Sequence, residues 1–167
     1  VENLIDTFFY AGEVSLELRE KGLIKKIKSD KTPVSNGDIE VNNIITKKLR
    51  EITPKIPIIS EETSENKSIQ DLKDFWLVDP IDGTYDYINN LEEFTINAGL
   101  IIKSMPVAGL IFAPAKKRMF YSYGDNQAFE IVNERLIRQS ERKKNLNKDN
   151  IKFVSYSNNL KPEIQKI

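Results

Sequence analysis

The period of the apolar residues changes once along this chain, at Pro54, and that change decides the class of fold open to it. From Glu2 to Glu20, Leu4, Ile5, Phe8, Phe9, Ala11, Val14, Leu16 and Leu18 recur mostly at helical spacing, and Gly22 stands where a helix would stop. A second helical pattern runs through Ile39, Val41, Ile44, Ile45, Leu49 and Ile52 and is closed by Pro54. Ser35, followed three positions later by Asp38, has the form of a capping box at its start. The stretch between them, "KKIKSDKTPVSNGD", is basic and polar, and its lysines from Lys25 to Lys31 read as solvated, with a reach over a bound phosphate as the alternative.

After Pro54 the runs are short and strand-like. "IPIIS" and "FWLV" suit buried strands, and "FTINAGLIIK", "PVAGLIFAP", "RMFYSY", "QAFEIV" and "ERLIRQ" follow with short polar connections, the spacing of consecutive antiparallel strands. The expectation is an α+β domain, two long helices packed on a largely antiparallel sheet. It should occupy residues 1–150, ending in a polar surface linker from Ser140 to Asn150. "IKFVSYSN" then reads as the first strand of a second, α/β domain over 151–167, which the chain leaves truncated.

Composition narrows the chemistry. The 25 basic residues balance the 25 acidic ones, so no global field draws a nucleic acid polymer or an anionic membrane. No apolar stretch has the length of a transmembrane span, and a cytoplasmic address is the default expectation. There is no cysteine, which removes disulfides, zinc thiolate sites and cysteine nucleophiles. There is no histidine either, so the commonest general base and the usual transition-metal ligand are absent together. Chemistry must run on carboxylates, hydroxyls, lysine, arginine or backbone, and a metal, if used, should be a hard cation with oxygen ligands, Mg²⁺ or Ca²⁺.

Carboxylates cluster after the first two strand-like runs. Glu61 and Glu62 follow "IPIIS", and Asp79 and Asp82 flank "PI" after "FWLV"; if the two runs are neighbouring strands, their exits bring all four to one edge of the sheet. Such a group repels itself, and a divalent ion is a physical means of keeping it charged. Pro80 would turn the chain so that Asp79, the Ile81 carbonyl and Asp82 converge. Gly83 and Thr84 precede a candidate short helix, "YDYINN", whose first amides would face an anion. A Thr84 hydroxyl there could hold a water, given a carboxylate to take its proton, and Asp38 is the candidate partner. Taken singly, Asp82-Gly83 is an ordinary tight turn, Glu61-Glu62 a solvated pair and Asp38 a helix-dipole carboxylate. Their occurrence together and in order favours a metal and phosphate site.

"PVSNGDIEVNNIITKKLREITPKIPIISEE", "FWLVDPIDGTYDYI" and "EEFTINAGLI" resemble the lithium-sensitive, magnesium-dependent phosphatases, the superfamily of inositol monophosphatases, fructose-1,6-bisphosphatases and 3'(2'),5'-bisphosphate nucleotidases. The resemblance implies that Glu61, Asp79, Asp82 and the Ile81 carbonyl bind Mg²⁺, and that Thr84 with Asp38 orients the attacking water. It further implies that the Gly83 and Thr84 amides hold phosphate, with Glu62 an acidic neighbour of unassigned role. "EEFTINAGLI" and "VAGLIFAPAKKRMFYSYGDNQAFEI" are most similar to bisphosphate nucleotidases of the CysQ type, which implies removal of the 3'-phosphate from adenosine 3',5'-bisphosphate. Inositol or sugar phosphate hydrolysis is the alternative. That family completes its site from a second domain with a tryptophan-aspartate motif, and the only tryptophan here is Trp76. An inactive half-enzyme, acting as a binding or homodimeric module, is therefore the expectation of a different class.

Overall fold

The computed structural model of the protein describes residues 1–29, 31–63, 72–124 and 127–133 in full, and the backbone of 135–139. The linker, the strand and the second domain expected beyond residue 139 lie outside the described residues. The fold is α+β, as the change of period implies. After a 3₁₀ turn at Glu2–Leu4 come α1 (Ile5–Lys21), β1 (Lys25–Ile27), β2 (Pro33–Ser35), α2 (Asn36–Ile52), β3 (Ile58–Ser60), β4 (Phe75–Asp82), α3 (Thr84–Ile88), β5 (Thr95–Ile102), β6 (Met105–Ala113), β7 (Arg118–Tyr123), β8 (Ala128–Val132) and β9 (Arg135–Gln139).

Strands β3 to β9 form one sheet in chain order, with β3–β4 parallel and each later pair antiparallel. The parallel pair matters for function, because parallel neighbours release their C-terminal ends on the same side, where Glu61 and the β4 aspartates lie. Helices α1 and α2 cover one face. Leu4, Phe8, Ala11, Val41, Ile45 and Leu49 pack there with Trp76, Val78, Ile96, Ala98, Leu110 and Phe112. The basic, polar stretch between the helices holds a hairpin, β1 paired with β2 from Lys25↔Ser35 to Ile27↔Pro33. A run of lysines around one exposed isoleucine carries no strand signal of its own, and β2 runs directly into the cap of α2.

That cap is complete. The Ser35 Oγ accepts from the Gly37 N–H at 3.2 Å, and the Asp38 Oδ2 accepts from the Ser35 N–H at 2.8 Å and from the Ser35 hydroxyl at 2.6 Å. Ser35→Ala removes both hydroxyl bonds and is expected to lower stability by about 1 kcal/mol. A thermal melt should show this as a drop of about 2–4 °C.

In β4 a single irregularity sets up the site. Asp79 pairs with Asn97 and Asp82 with Thr95, so β4 spends three steps where β5 spends two. Pro80, which brings no N–H to the ladder, lies in this bulge. The expected turn is thus an extra residue within a strand that runs through Asp82. Its consequence is a change of parity. Before it, Trp76, Val78 and Pro80 face the helices; after it, Ile81 does, and Asp82 joins Asp79 on the opposite, outer face.

Candidate metal and phosphate site

Four elements deliver the site: the start of α2, the exit of β3, the bulged end of β4 and the start of α3. Asp38 is buried at the start of α2, and its second oxygen, Oδ1, accepts from the Thr84 hydroxyl at 3.0 Å. The same hydroxyl lies 3.0 Å from the Ile81 carbonyl oxygen. One proton thus has two acceptors, the Asp38 carboxylate and the Ile81 carbonyl, and the charged carboxylate is the stronger of the two. Asp38 cannot rotate to evade this contact, because Ser35 holds its other oxygen twice.

Glu61 lies one residue past β3, with its N–H donating to the Val78 carbonyl at 3.1 Å. Its carboxylate is half exposed, whereas the Glu62 side chain is almost wholly buried. Lys28, one residue beyond β1, reaches both: its Nζ lies 2.7 Å from Glu62 Oε1 and 3.4 Å from Glu61 Oε1. Burial works against the Lys28 ammonium, but the hydrogen bond and charge of Glu62, with Glu61 behind it, outweigh that and raise its pKa. Burial likewise dominates at Glu62, whose pKa is raised despite the lysine. A lysine that sequence reasoning placed in solvent is therefore part of the acidic cluster. The run of basic residues around it offered no signal for this, since its partners lie 33 and 34 positions away, past β3.

Asp79 is the electrostatic centre. Its pKa is pushed up to about 7, first by burial and then by the negative charges of Glu61, Asp82 and Asp38. Its Oδ1 is buried with no hydrogen-bond partner. Asp82 is exposed on the same face and accepts from the Asn97 Nδ2 at 3.2 Å. Gly83, at φ 90° and ψ 39°, turns the chain from β4 into α3, and its carbonyl accepts from the Tyr87 N–H at 2.9 Å. Tyr87 then anchors α3 to α1, its buried hydroxyl donating to the Ser15 carbonyl at 2.6 Å.

The structure thus brings Asp38, Thr84 and Ile81 into direct contact, groups Glu61 with Glu62, and sets Asp79 within the field of Glu61, Asp82 and Asp38. Among the described residues no three ligating side chains stand together as a finished metal cage. The fit to a hard divalent cation rests instead on donor chemistry: oxygen ligands throughout, a buried carboxylate oxygen lacking any partner, and a local excess of negative charge. Without a divalent ion, a raised Asp79 pKa means that the folded chain keeps a proton which the unfolded chain releases. The stabilisation is full below the ordinary aspartate range and is lost as pH rises towards 7. Melting temperature in EDTA is expected to fall from pH 5 to pH 8, and Asp79→Asn to flatten that fall.

The model of the inositol monophosphatase family matches residues 2–166. The chain is 44% identical over 100 residues to the 3'(2'),5'-bisphosphate nucleotidase CysQ of Buchnera aphidicola, covering 59% of this chain and 38% of that protein. It is 33% identical over 124 residues to the CysQ of Haemophilus influenzae, covering 73% and 43%. The crystal structure of CysQ from Bacteroides thetaiotaomicron superposes with a TM-score of 0.64 at 30% identity, covering 79% of this chain and 48% of that one. The chain therefore spans less than half the length of these relatives.

Proposed function

The chain belongs to the inositol monophosphatase family, and from that premise we propose that it carries the metal-binding and water-activating half of a phosphomonoesterase acting on a 3'(2'),5'-bisphosphate nucleotide. The observation that carries this reading is the Thr84–Asp38 hydrogen bond, set beside a buried Asp79 oxygen that has no partner. The CysQ relatives support the substrate class, adenosine 3',5'-bisphosphate being its first candidate. Inositol and sugar phosphates are the competing substrates.

Glu61, Asp79, Asp82 and the Ile81 carbonyl would hold Mg²⁺, which when bound supplies Lewis-acid polarisation of the phosphoryl group and neutralises the clustered carboxylates. The remaining work belongs to the chain. Thr84 accepts a hydrogen bond from the attacking water while donating its own proton towards Asp38, so the water's proton leaves through Thr84 to Asp38. A new P–O bond would form from the water oxygen as the ester P–O bond breaks in line with it, the leaving oxygen departing with the nucleoside and taking a proton from solvent. The Gly83 and Thr84 amides would contact the phosphate oxygens. Glu62, held by Lys28, would keep that ammonium at the rim of the site.

A second reading has its own observation. On the sheet face away from α1 and α2, Leu77, Val107, Ile111 and Phe120 are exposed, around the directly opposed Gly99 and Gly109. Such a surface suits a half-enzyme that binds the ion and needs a further body, or a second copy, to turn substrate over. Among the described residues no helix is long and apolar enough to cross a membrane. Phosphate release by the purified chain with Mg²⁺ separates the readings, comparing adenosine 3',5'-bisphosphate, inositol 1-phosphate and fructose 1,6-bisphosphate. Selective release from the nucleotide is expected. Release from one of the others would replace the substrate, and no release from any would leave the half-enzyme.

A further inference from the structure

We infer that Asn97 is a positioning residue of this site, aiming the Asp82 carboxylate into the space that Asp79 faces; the inference rests on the reading of that cluster as a divalent-cation site. The bulge in β4 places Asp79 opposite Asn97 and Asp82 opposite Thr95, and because residues 95 and 97 share a face of β5, all four side chains lie together on the outer face. Asn97 bridges the irregularity. Its Nδ2 donates to Asp82 Oδ2 at 3.2 Å, the side-chain hydrogen bond that Asp82 makes among the described residues. Without it, an exposed carboxylate at a strand end is free to swing among its rotamers.

The other end of the same amide makes the stronger argument. Asn97 Oδ1 is buried with no partner, as is Asp79 Oδ1 directly across the strand pair. Two partnerless buried acceptors on directly paired residues are costly in a resting fold, and a donor or cation that reaches both removes both costs at once. Purely structural needs would be better met by an apolar residue. Asparagine is a poor strand former, and its cross-strand neighbour on the far side, Ile111, offers an apolar surface to pack on. In the strand "TINAGLII" it is the one amide side chain.

Manganese(II) binding to the full chain, measured by calorimetry with melting temperatures in EDTA, tests this on Asn97→Leu, Asn97→Ser and Asp79→Asn. Asn97→Leu is expected to weaken binding by about 10- to 100-fold, the usual scale for a residue that orients a ligand. Its melting temperature in EDTA should be unchanged or raised, because a partnerless acceptor has been removed. Asn97→Ser keeps a donor and should recover part of the affinity. Full affinity in Asn97→Leu, with binding lost in Asp79→Asn, overturns the inference and leaves the cation site standing. Weakened binding with a lowered melting temperature in both Asn97 variants makes Asn97 a scaffold residue and also overturns it. No binding by the unmodified chain overturns the inference and the cation site together.

Discussion

Asp79→Asn is expected to cut metal-dependent phosphate release by at least about 10²-fold, the scale on which losing one electrostatic stabiliser acts, while the metal-free chain stays folded. Both halves follow from the same physics. Asp79 sits where burial and three neighbouring carboxylates push its pKa to about 7, so near neutral pH its charge is a cost to the empty fold. An amide of the same shape removes that cost and, with it, the anionic oxygen that a cation would draw on. At pH 8 in EDTA the variant should therefore melt no lower than the unmodified chain. Added Mg²⁺ should raise the melting temperature of the unmodified chain and leave the variant where it was. A variant that keeps its turnover would remove Asp79 from the chemistry.

Gly83→Ala should be the most damaging single change to the scaffold of the site. At φ 90° an L side chain is strained, and a Cβ there would lie 2.7 Å from the Glu93 backbone carbonyl, which cannot swing aside as a side chain would. The expected cost is about 3 kcal/mol, or about 6–12 °C in melting temperature for a chain of this size. Because Gly83 sets the path from Asp82 into Thr84, activity should fall more than stability alone accounts for. Circular dichroism on the variant, with phosphate release measured well below its melting temperature, separates the two. An alanine variant that melts with the parent would mean that the turn can re-form another way.

Much of this architecture is legible in the residues. The helices end where Gly22 and Pro54 say they should, because a glycine stop and a proline act through the backbone and need no tertiary context. The capping box of Ser35 and Asp38 is equally local. The acidic residues are legible as a group, since carboxylates at the exits of two apolar runs converge when the runs pair in parallel. What the sequence hides is parity and reach. "DPID" looks like a turn, and only pairing with β5 makes it a bulge that carries Asp79 and Asp82 to one face. Lys28 looks solvated until the hairpin folds back and sets its ammonium against Glu62, 34 positions away. Asn97 looks like a blemish in an apolar strand, because its partners, Asp79 and Asp82, come from β4. Each of these depends on a contact across strands, which periodicity along one strand does not encode.

Anomalous diffraction from crystals of the chain grown with Mn²⁺ decides whether this acidic cluster is a divalent-cation site feeding the Thr84–Asp38 pair. An anomalous peak is expected against Asp79 Oδ1, shared with Glu61 and Asp82, and its loss in Asp79→Asn. A well-ordered cluster with no peak there, or a peak that persists unchanged in the variant, would contradict that reading.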